Sequence, residues 1–539
     1  MGKRAKKAAP IIVLGLSFCL LVFLNIFYHD NWLDSDMAAE MIFSKLLSQE
    51  GHFFATPDWF YSTEFRFLYT HWIMGPLFHV FQSWHIIRAV TNIASYLLML
   101  FAYYFCMKPL RVKKEIVGTT SAILLLPFSE TMMTHMVMGN TYLVHVMISF
   151  WYLGLFLRLA MEQQKKLPRI CCWIFYAMLS VICGLSGVRY LLALQAPVVL
   201  TGFVFLFVSA EGKAFRQRLE AGKLLSEGKK LLAAPAFKPF WCGILGAVLS
   251  VAGYGINVLY VSRNYVFQTY GSTNFIAVYQ GVFLERLQNA FGSLLMLFGY
   301  IPDKSVLSLR GVISLLAFVL IGLFLLVTVQ VAKQREGNPG RLFMTYFFIA
   351  AFVLNVFVFV FTTSTMVPRY YLTVYIFFLP LLCIFMDRKG LFFDKLAIGG
   401  LLFVCLLAAT AKTTFSYLST DKNAGHREVA QFLEENQYDF GYATYWNANI
   451  ITELTNGTVE VANVLDGETL RYFQWSSPRK YYDETYGAGK VFLLLEQEEV
   501  TDCKAVREGT LVYDRGGFLV YSFPSRKELM DCAQTGDEY

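Results

Sequence analysis

The sequence predicts an α-helical polytopic membrane protein with about eleven transmembrane helices and a small C-terminal α/β domain. Three observations support this fold class. The 539 residues are 56% hydrophobic and only 16% charged, whereas a soluble chain carries about 25% charged residues. Apolar runs near the roughly 20 residues that a bilayer-spanning helix needs recur along most of the chain. Acidic residues outnumber basic ones from residue 420 onward, while basic residues dominate before it.

The apolar runs predict the membrane spans. Helices are the expected elements, because the runs lack the alternation of a barrel strand. Basic residues precede the first run, but no small-residue cleavage site follows it, so we expect an uncleaved helix rather than a signal peptide. The third and tenth spans are short. The predicted spans are 9–28, 86–107, 116–128, 141–160, 170–187, 190–210, 240–262, 306–332, 342–363, 371–386 and 395–418.

Lysine and arginine predict the orientation. A cytoplasmic N-terminus places five loops rich in Lys and Arg inside, as the positive-inside rule requires: 108–115, 161–169, 211–238, 333–341 and 387–395. The opposite loops, including the first outer loop 29–85, carry few basic residues. An odd number of spans then puts the C-terminal domain outside. The net charge of +7 therefore indicates a basic inner membrane surface and an acidic outer domain, not a nucleic-acid partner.

Residues 1–418 are predicted to form the transmembrane domain and residues 419–539 an extracytoplasmic α/β domain. About 120 residues are enough to bury a core. Cys503 and Cys532 either form a disulfide, which an oxidising compartment favours, or remain free thiols. The patterns predict helices Arg427–Gln437 and Asn447–Leu454, strands Gly441–Tyr445, Val459–Leu465 and Val491–Leu495, and a hairpin Leu511–Tyr521 that turns at Asp514–Gly517.

Ionisable residues cluster at the predicted outer ends of the spans. In a membrane protein such residues are costly and mark functional sites. Their position predicts a site at the outer membrane face rather than a path through the bilayer. The cluster comprises Asp34, Asp36, Glu40, Glu64, Arg66, His71, Arg88, Glu130, His135, Arg189, Glu285, Arg286 and Arg369.

The first candidate site is acidic and lies in residues 34–40. Asp36 and Glu40 are one helical turn apart and can share a helix face, while Asp34 is placed to cap that helix. One aspartate could deprotonate an acceptor hydroxyl or amine, and the other could bind a divalent cation or orient the acceptor. The alternative is a capped helix with a solvated acidic face.

Arginines and further polar residues supply the other candidates. Arg369, followed by Tyr370 at the outer end of the tenth span, could bind a phosphate, as could Arg66 and Arg189. The alternative for Arg369 and Arg189 is an interfacial anchor, and for Arg66 a salt bridge with Glu64. Three residues besides Glu40 are acceptor or metal-ligand candidates, with ordinary loop contacts as the alternative: Glu64, Glu130 and His135.

These features together resemble the GT-C glycosyltransferase superfamily, which includes protein O-mannosyltransferases and bacterial aminoarabinose transferases. The resemblance rests on the layout of the whole chain and on short motifs. It implies an inverting transfer from a polyprenyl-phosphate sugar, with a first-loop aspartate as the base and a late arginine, here Arg369, near the donor phosphate. Many members carry Asp-Glu and then Ala-Glu. Aligning residues 39–40 with the second pair puts Asp34 on the catalytic aspartate, but Ser35 replaces the usual Glu, which leaves Asp34 and Asp36 both open.

The resemblance also sets expectations for partners and location. A polyprenyl-phosphate-linked sugar donor, the lipid bilayer and an extracytoplasmic acceptor (a wall polymer, a glycolipid or a protein) are the expected partners. A divalent cation is the one candidate cofactor. The chain is also similar to multi-spanning proteins of Gram-positive anaerobes, which implies a bacterial plasma membrane.

Two other functions compete with this interpretation. A transporter or flippase of lipid-linked sugars would carry polar residues at mid-membrane, broken helices in matched positions and an internal repeat, and none is evident in the sequence. A non-catalytic scaffold would have an outer domain that binds its partner regardless of Asp34 and Asp36.

Overall fold

Long helices make up most of the structure, which is a computed structural model. It describes residues 3–139, 141–162, 165–209, 212–214, 216–217, 235–268, 273–279, 281–333, 338–390, 392–487 and 489–533. Most of the predicted loop 211–238 lies outside these residues. The principal helices up to residue 419 are α1 (Lys3–Phe27), α2 (Ser35–Glu50), α3 (His71–Leu77), α4 (Trp84–Met107), α5 (Lys114–Leu124), α6 (Leu143–Met161), α7 (Lys166–Leu185), α8 (Ala196–Val208), α9 (Lys238–Ile256), α10 (Val282–Leu297), α11 (Leu309–Ala332), α12 (Pro339–Phe361), α13 (Phe378–Asp387) and α14 (Phe392–Ser419).

Within the described ranges, nine helices are long and apolar enough to cross a membrane, and a bent pair would make ten. In that pair Pro368–Tyr375 and α13 meet at an angle of 41°. Pro380 accounts for the bend, because it has no amide hydrogen for the carbonyl of residue 376 and its ring crowds that carbonyl. The number of about eleven spans therefore stays a prediction. The tenth predicted span is bent, and the third contains only the 11-residue helix α5.

The short α5 nevertheless connects the two ends of the bundle. Leu110, which comes just before α5, lies at one end of the bundle, where basic residues gather. There the Arg341 guanidinium donates to the Leu110 carbonyl (2.8 Å) and to the Asp387 carboxylate (2.7 Å). Just after α5, the hydroxyl of Thr134 lies 2.7 Å from that of Tyr417 at the other end. The preceding helix α4 has 24 residues and is therefore about 36 Å long, at about 1.5 Å per residue. The segment that contains α5 covers a similar distance. A helix followed by irregular residues therefore spans the bundle here.

The C-terminal part folds around a five-stranded sheet. The strand order is β4-β3-β6-β8-β7, with β4, β3 and β6 parallel and the hairpin β7–β8 antiparallel to them. The predicted α/β elements are present, with ends shifted by a few residues. They are α15 (Ala424–Glu435), β3 (Phe440–Thr444), α16 (Tyr445–Leu454), β4 (Glu460–Val464), β6 (Val491–Glu496), β7 (Thr510–Arg515) and β8 (Phe518–Phe523).

The sheet explains how this part is held together. Its strands alternate apolar side chains into two buried clusters, one on each face. The hairpin turns at Gly516 and Gly517, whose positive φ angles of 61° and 84° suit glycine. Cys503 and Cys532 are both buried as free thiols. The disulfide alternative is therefore not formed in this structure.

A small sheet and a helix pair are among the contacts that join the C-terminal part to the helical bundle. A small sheet of order β2-β1-β5 pairs β1 (Trp59–Tyr61) with β2 (Val266–Phe267) and β5 (Ser477–Pro478). Helix α16 packs along α2, and Arg88 of α4 donates two hydrogen bonds to Glu453 of α16, at 2.7 and 2.6 Å. The N-terminus of α2 is thus enclosed between the bundle and the C-terminal part.

Candidate functional site

A pocket of about 200 Å³ opens at the end of the bundle opposite to the basic end. The N-terminus of α2, residues between positions 54 and 71 and the segment Trp475–Ser476 form parts of its wall. Of the candidate catalytic, phosphate-binding and acceptor or metal-binding residues, only Glu130 does not line it. Glu130 is exposed and 3.6 Å from the Lys422 ammonium. From the wider ionisable cluster, Arg88, Glu285 and Arg286 also lie outside the lining. The predicted residues that line the pocket are Asp34, Asp36, Glu40, Glu64, Arg66, His135, Arg189, Arg369 and Tyr370.

Asp34 is held by the start of α2. It is the N-cap residue, and its Oδ1 accepts a hydrogen bond from the amide of Met37 at 2.8 Å. Burial, and then the negative charge of Asp36, raise the pKa of Asp34 to about 7. A carboxylate poised near neutral pH is suited to accept a proton from a substrate.

Asp36 has a different partner. The hydroxyl of Tyr445, the first residue of α16, donates to its Oδ1 at 2.5 Å. Ser35 lies between the two aspartates and is fully buried against α16. Its hydroxyl donates to the backbone carbonyl of Tyr445 and accepts from the side-chain amide of Asn449 at 3.0 Å. A glutamate at position 35 would have to fit into this packed contact, which gives a structural reason for the serine.

Two of the three arginines are held in ion pairs. Arg66 donates to Glu40 at 2.7 Å, and the other oxygen of Glu40 accepts from Thr70 at 3.1 Å. Arg189 donates to Glu64 at 2.9 Å. The alternative of a Glu64–Arg66 salt bridge is therefore not formed, since each residue pairs with a different partner. Arg66 keeps its Nε without a partner within the described residues.

Arg369 differs from the other two arginines. It forms no ion pair within the described part of the chain, and its guanidinium lies 5.7 Å from the centre of the Tyr370 ring. Burial, and then the positive charge of Arg369, lower the pKa of His135 to about 4. Nδ1 of the neutral His135 ring lies 3.0 Å from the hydroxyl oxygen of Thr141. The pocket thus offers a proton-accepting carboxylate and a cation that has no ion pair among the described residues.

Metal binding has little support in the residues that the structure describes. Among them, no group of three or more His, Cys, Asp and Glu side chains could hold a metal ion. Glu40 and Glu64 are engaged by arginines. The divalent cation therefore remains a prediction.

Sequence reasoning missed Trp475, which lines the pocket, and Tyr445, whose hydroxyl holds Asp36 of the pocket lining. Both come from the C-terminal part, more than 400 residues after Asp34, and no spacing or periodicity connects such distant positions. It also gave no role to His71, which lines the pocket and has a buried Nε2 without a hydrogen-bond partner in the described residues. A local signal for an aromatic contact site was present at Tyr445–Trp446, where two aromatic residues begin a helix directly after a strand.

Comparisons by sequence find no relatives, since no family model and no curated protein matches the chain. Solved structures do match. The apo oligosaccharyltransferase of Archaeoglobus fulgidus has a TM-score of 0.50 at 12% identity, covering 91% of this chain and 70% of that one. ArnT from Cupriavidus metallidurans bound to undecaprenyl phosphate has a TM-score of 0.52 at 11% identity, covering 95% and 97%. Apo ArnT has a TM-score of 0.52 at 10% identity, covering 98% and 99%. At these identities the likeness is one of fold.

Proposed function

This chain has the fold of the GT-C glycosyltransferases, and we propose that it is an inverting membrane glycosyltransferase. It moves a hexosyl group from a polyprenyl-phosphate carrier to an extracytoplasmic acceptor. The observation that carries the proposal is the pocket itself. Asp34, with its raised pKa, and Arg369, which forms no ion pair with any residue that the structure describes, line the same cavity. A proton acceptor and an anion holder are the two groups that this transfer needs.

The donor phosphate binds at Arg369. A guanidinium offers a planar fork of donors that matches phosphate oxygens, and no carboxylate competes for this one among the described residues. Arg66 adds its Nε, which has no hydrogen-bond partner in the part of the chain that the structure covers. Arg189 lines the pocket as well, where its ion pair with Glu64 orients it.

The carrier tail lies in an apolar groove on the membrane helices. The groove encloses about 580 Å³ and begins at Leu191, two residues after Arg189 of the pocket. A polyprenyl chain is apolar throughout and suits such a lining. The groove residues are Leu191, Gln195, Ala196, Val199, Leu200, Phe203, Phe240, Ile244, Ala247 and Leu354.

Asp34 acts as the base in the transfer. As the acceptor oxygen or nitrogen attacks C1 of the sugar, its proton passes to Asp34, and the bond from C1 to the phosphate oxygen breaks. The electron pair leaves with that oxygen, next to Arg369. Attack from the face opposite the phosphate inverts C1. Asp36, bound to the Tyr445 hydroxyl, keeps a negative charge near Asp34 and favours proton uptake there.

The bacterial plasma membrane is the proposed location, with the pocket and residues 419–539 outside and the N-terminus in the cytoplasm. The distribution of charge supports this orientation. Lys113 and Arg341 gather with Asp387 at the end of the bundle away from the pocket. Basic residues favour the cytoplasmic side of a membrane.

Release of polyprenyl phosphate tests the function. Protein purified in lipid is incubated with radiolabelled polyprenyl-phosphate hexoses and a cell-envelope extract, and we expect the wild type to release the carrier. Arg369→Ala should raise the KM for the donor by about 10-fold to 100-fold, because a hydrogen bond to a charged group contributes about 1.5–3 kcal/mol. Arg310→Ala, an exposed arginine outside the pocket, is the control. Binding of donors without release by the wild type would reject the proposal.

Activity should fall as the pH drops through about 7, because Asp34 must be ionised to accept a proton. Asp36→Asn removes a negative charge that raises the pKa of Asp34, so the acidic limb of the profile should move to lower pH. The measurement is kcat against pH for both proteins at saturating donor. A limb at the same pH in the two proteins would show that Asp34 is not the titrating base.

A further inference from the structure

The segment Phe473–Ser476 builds an aromatic wall beside the pocket. Trp475 and Ser476 line the cavity, and the Trp475 ring is stacked on Phe473 with centroids 5.9 Å apart and planes 7° apart. Phe473 also contacts the Tyr445 ring at 5.7 Å, and the Tyr445 hydroxyl reaches Asp36. The wall is therefore one aromatic ring away from the acidic residues.

This wall is held rigidly from two sides. Asn463 of β4 donates to the Trp475 carbonyl at 2.9 Å, and Gln268 after β2 donates to the Gln474 carbonyl at 2.7 Å. Ser476 has a φ of 47°, which a residue with a side chain adopts only where its surroundings impose it. A surface fixed in advance loses little conformational entropy when a ligand binds.

Trp446 adds a further aromatic ring next to this wall, through Tyr445. Its side chain is 64% exposed, although tryptophan is usually mostly buried. It follows Tyr445 directly, and the two rings lie 5.2 Å apart. A ligand longer than one ring could therefore run from the pocket past Trp475 and across Trp446.

We propose that Phe473, Trp475 and Trp446 bind a glycan acceptor by stacking of its sugar rings. This inference rests on the proposed glycosyl transfer. The C–H face of a sugar ring is apolar and packs on an indole, while its hydroxyls remain free to point at Asp34. A peptide acceptor would be expected to pair along a strand edge, but β1, the strand nearest the pocket, is already paired on both sides. The wall offers aromatic faces instead.

Binding of saccharide probes tests the wall without requiring turnover. Saturation-transfer NMR on the full chain in lipid nanodiscs is run with linear trisaccharides of glucose, mannose and N-acetylglucosamine, and with a Ser/Thr-rich hexapeptide. We expect the wild type to bind at least one trisaccharide and Trp475→Ala to weaken that binding about 30-fold, as for loss of an aromatic anchor. Tyr279→Ala, an exposed aromatic position outside the wall, should bind as the wild type does.

A turnover assay and a second variant separate the possible failures. Donor turnover by the wild type is measured apart from saccharide binding, so its absence would reject the transfer while leaving the binding result intact. Trp446→Ala changes an exposed side chain, and it should weaken binding even if Trp475→Ala misfolds. Unchanged binding in a folded Trp475→Ala or in Trp446→Ala would overturn the proposal. Binding of the peptide alone, or of no trisaccharide by the wild type, would also overturn it.

Discussion

Replacing Asp34 by asparagine is expected to reduce sugar transfer by about 10²-fold to 10⁴-fold, the usual loss when a general base is removed. Asparagine has the size of aspartate and is an equally good N-cap residue. Its side-chain oxygen can still accept from the Met37 amide, so α2 should keep its start. The measurement is carrier release per enzyme, alongside thermal unfolding to show that stability is unchanged.

Asp36→Asn is the matched control for this prediction. Its side-chain oxygen can still accept from the Tyr445 hydroxyl, and only the charge near Asp34 is lost. We expect its activity at neutral pH to stay within about tenfold of the wild type, because the base itself remains. A reversed result, with Asp36→Asn inactive and Asp34→Asn active, would exchange the roles of the two aspartates. Activity in both variants and in their double would contradict carboxylate catalysis in this pocket.

The acidic part of the pocket could be predicted from the sequence, because it depends on residues that are close together in the chain. Asp34 is a good cap ahead of an apolar helix, and Asp36 and Glu40 follow at helical spacing, so their common face could be expected. Arg369 could also be expected at a membrane edge, where an unpaired arginine needs an anion. The strands and helices after residue 420 could be predicted too, because alternation and turn residues are local signals.

Long-range partners could not be predicted in this way. Glu64 and Arg66 are two residues apart, yet each pairs with a residue from another segment, because the loop places them against Arg189 and Glu40. Tyr445 reaches Asp36 only after α16 docks on α2. The helical part of the third predicted span, 116–128, ends at Leu124, because an apolar run predicts burial but does not set how much of it is helical.

The second large effect is expected at the junction of the two parts. Arg88 and Glu453 are only 1% and 5% exposed, and two hydrogen bonds of 2.7 and 2.6 Å join them. Glu453→Ala leaves the Arg88 charge buried without its carboxylate, which should destabilise the protein by about 3–5 kcal/mol. Denaturant unfolding in detergent and limited proteolysis of the C-terminal part are the measurements. An exposed pair supplies the control, since Arg507→Ala beside Asp502 should cost at most about 1 kcal/mol.

A double variant separates the buried charge from the packing. In Arg88→Met/Glu453→Leu neither charge remains, so much of the lost stability should return, as in other buried pairs replaced by apolar side chains. Glu453 and Tyr445 lie on the same helix, so Glu453→Ala should also loosen Tyr445 from Asp36 and lower sugar transfer, and the double variant should restore both. Stability recovered without activity would show that Arg88 acts on the pocket itself, beyond holding α16 in place.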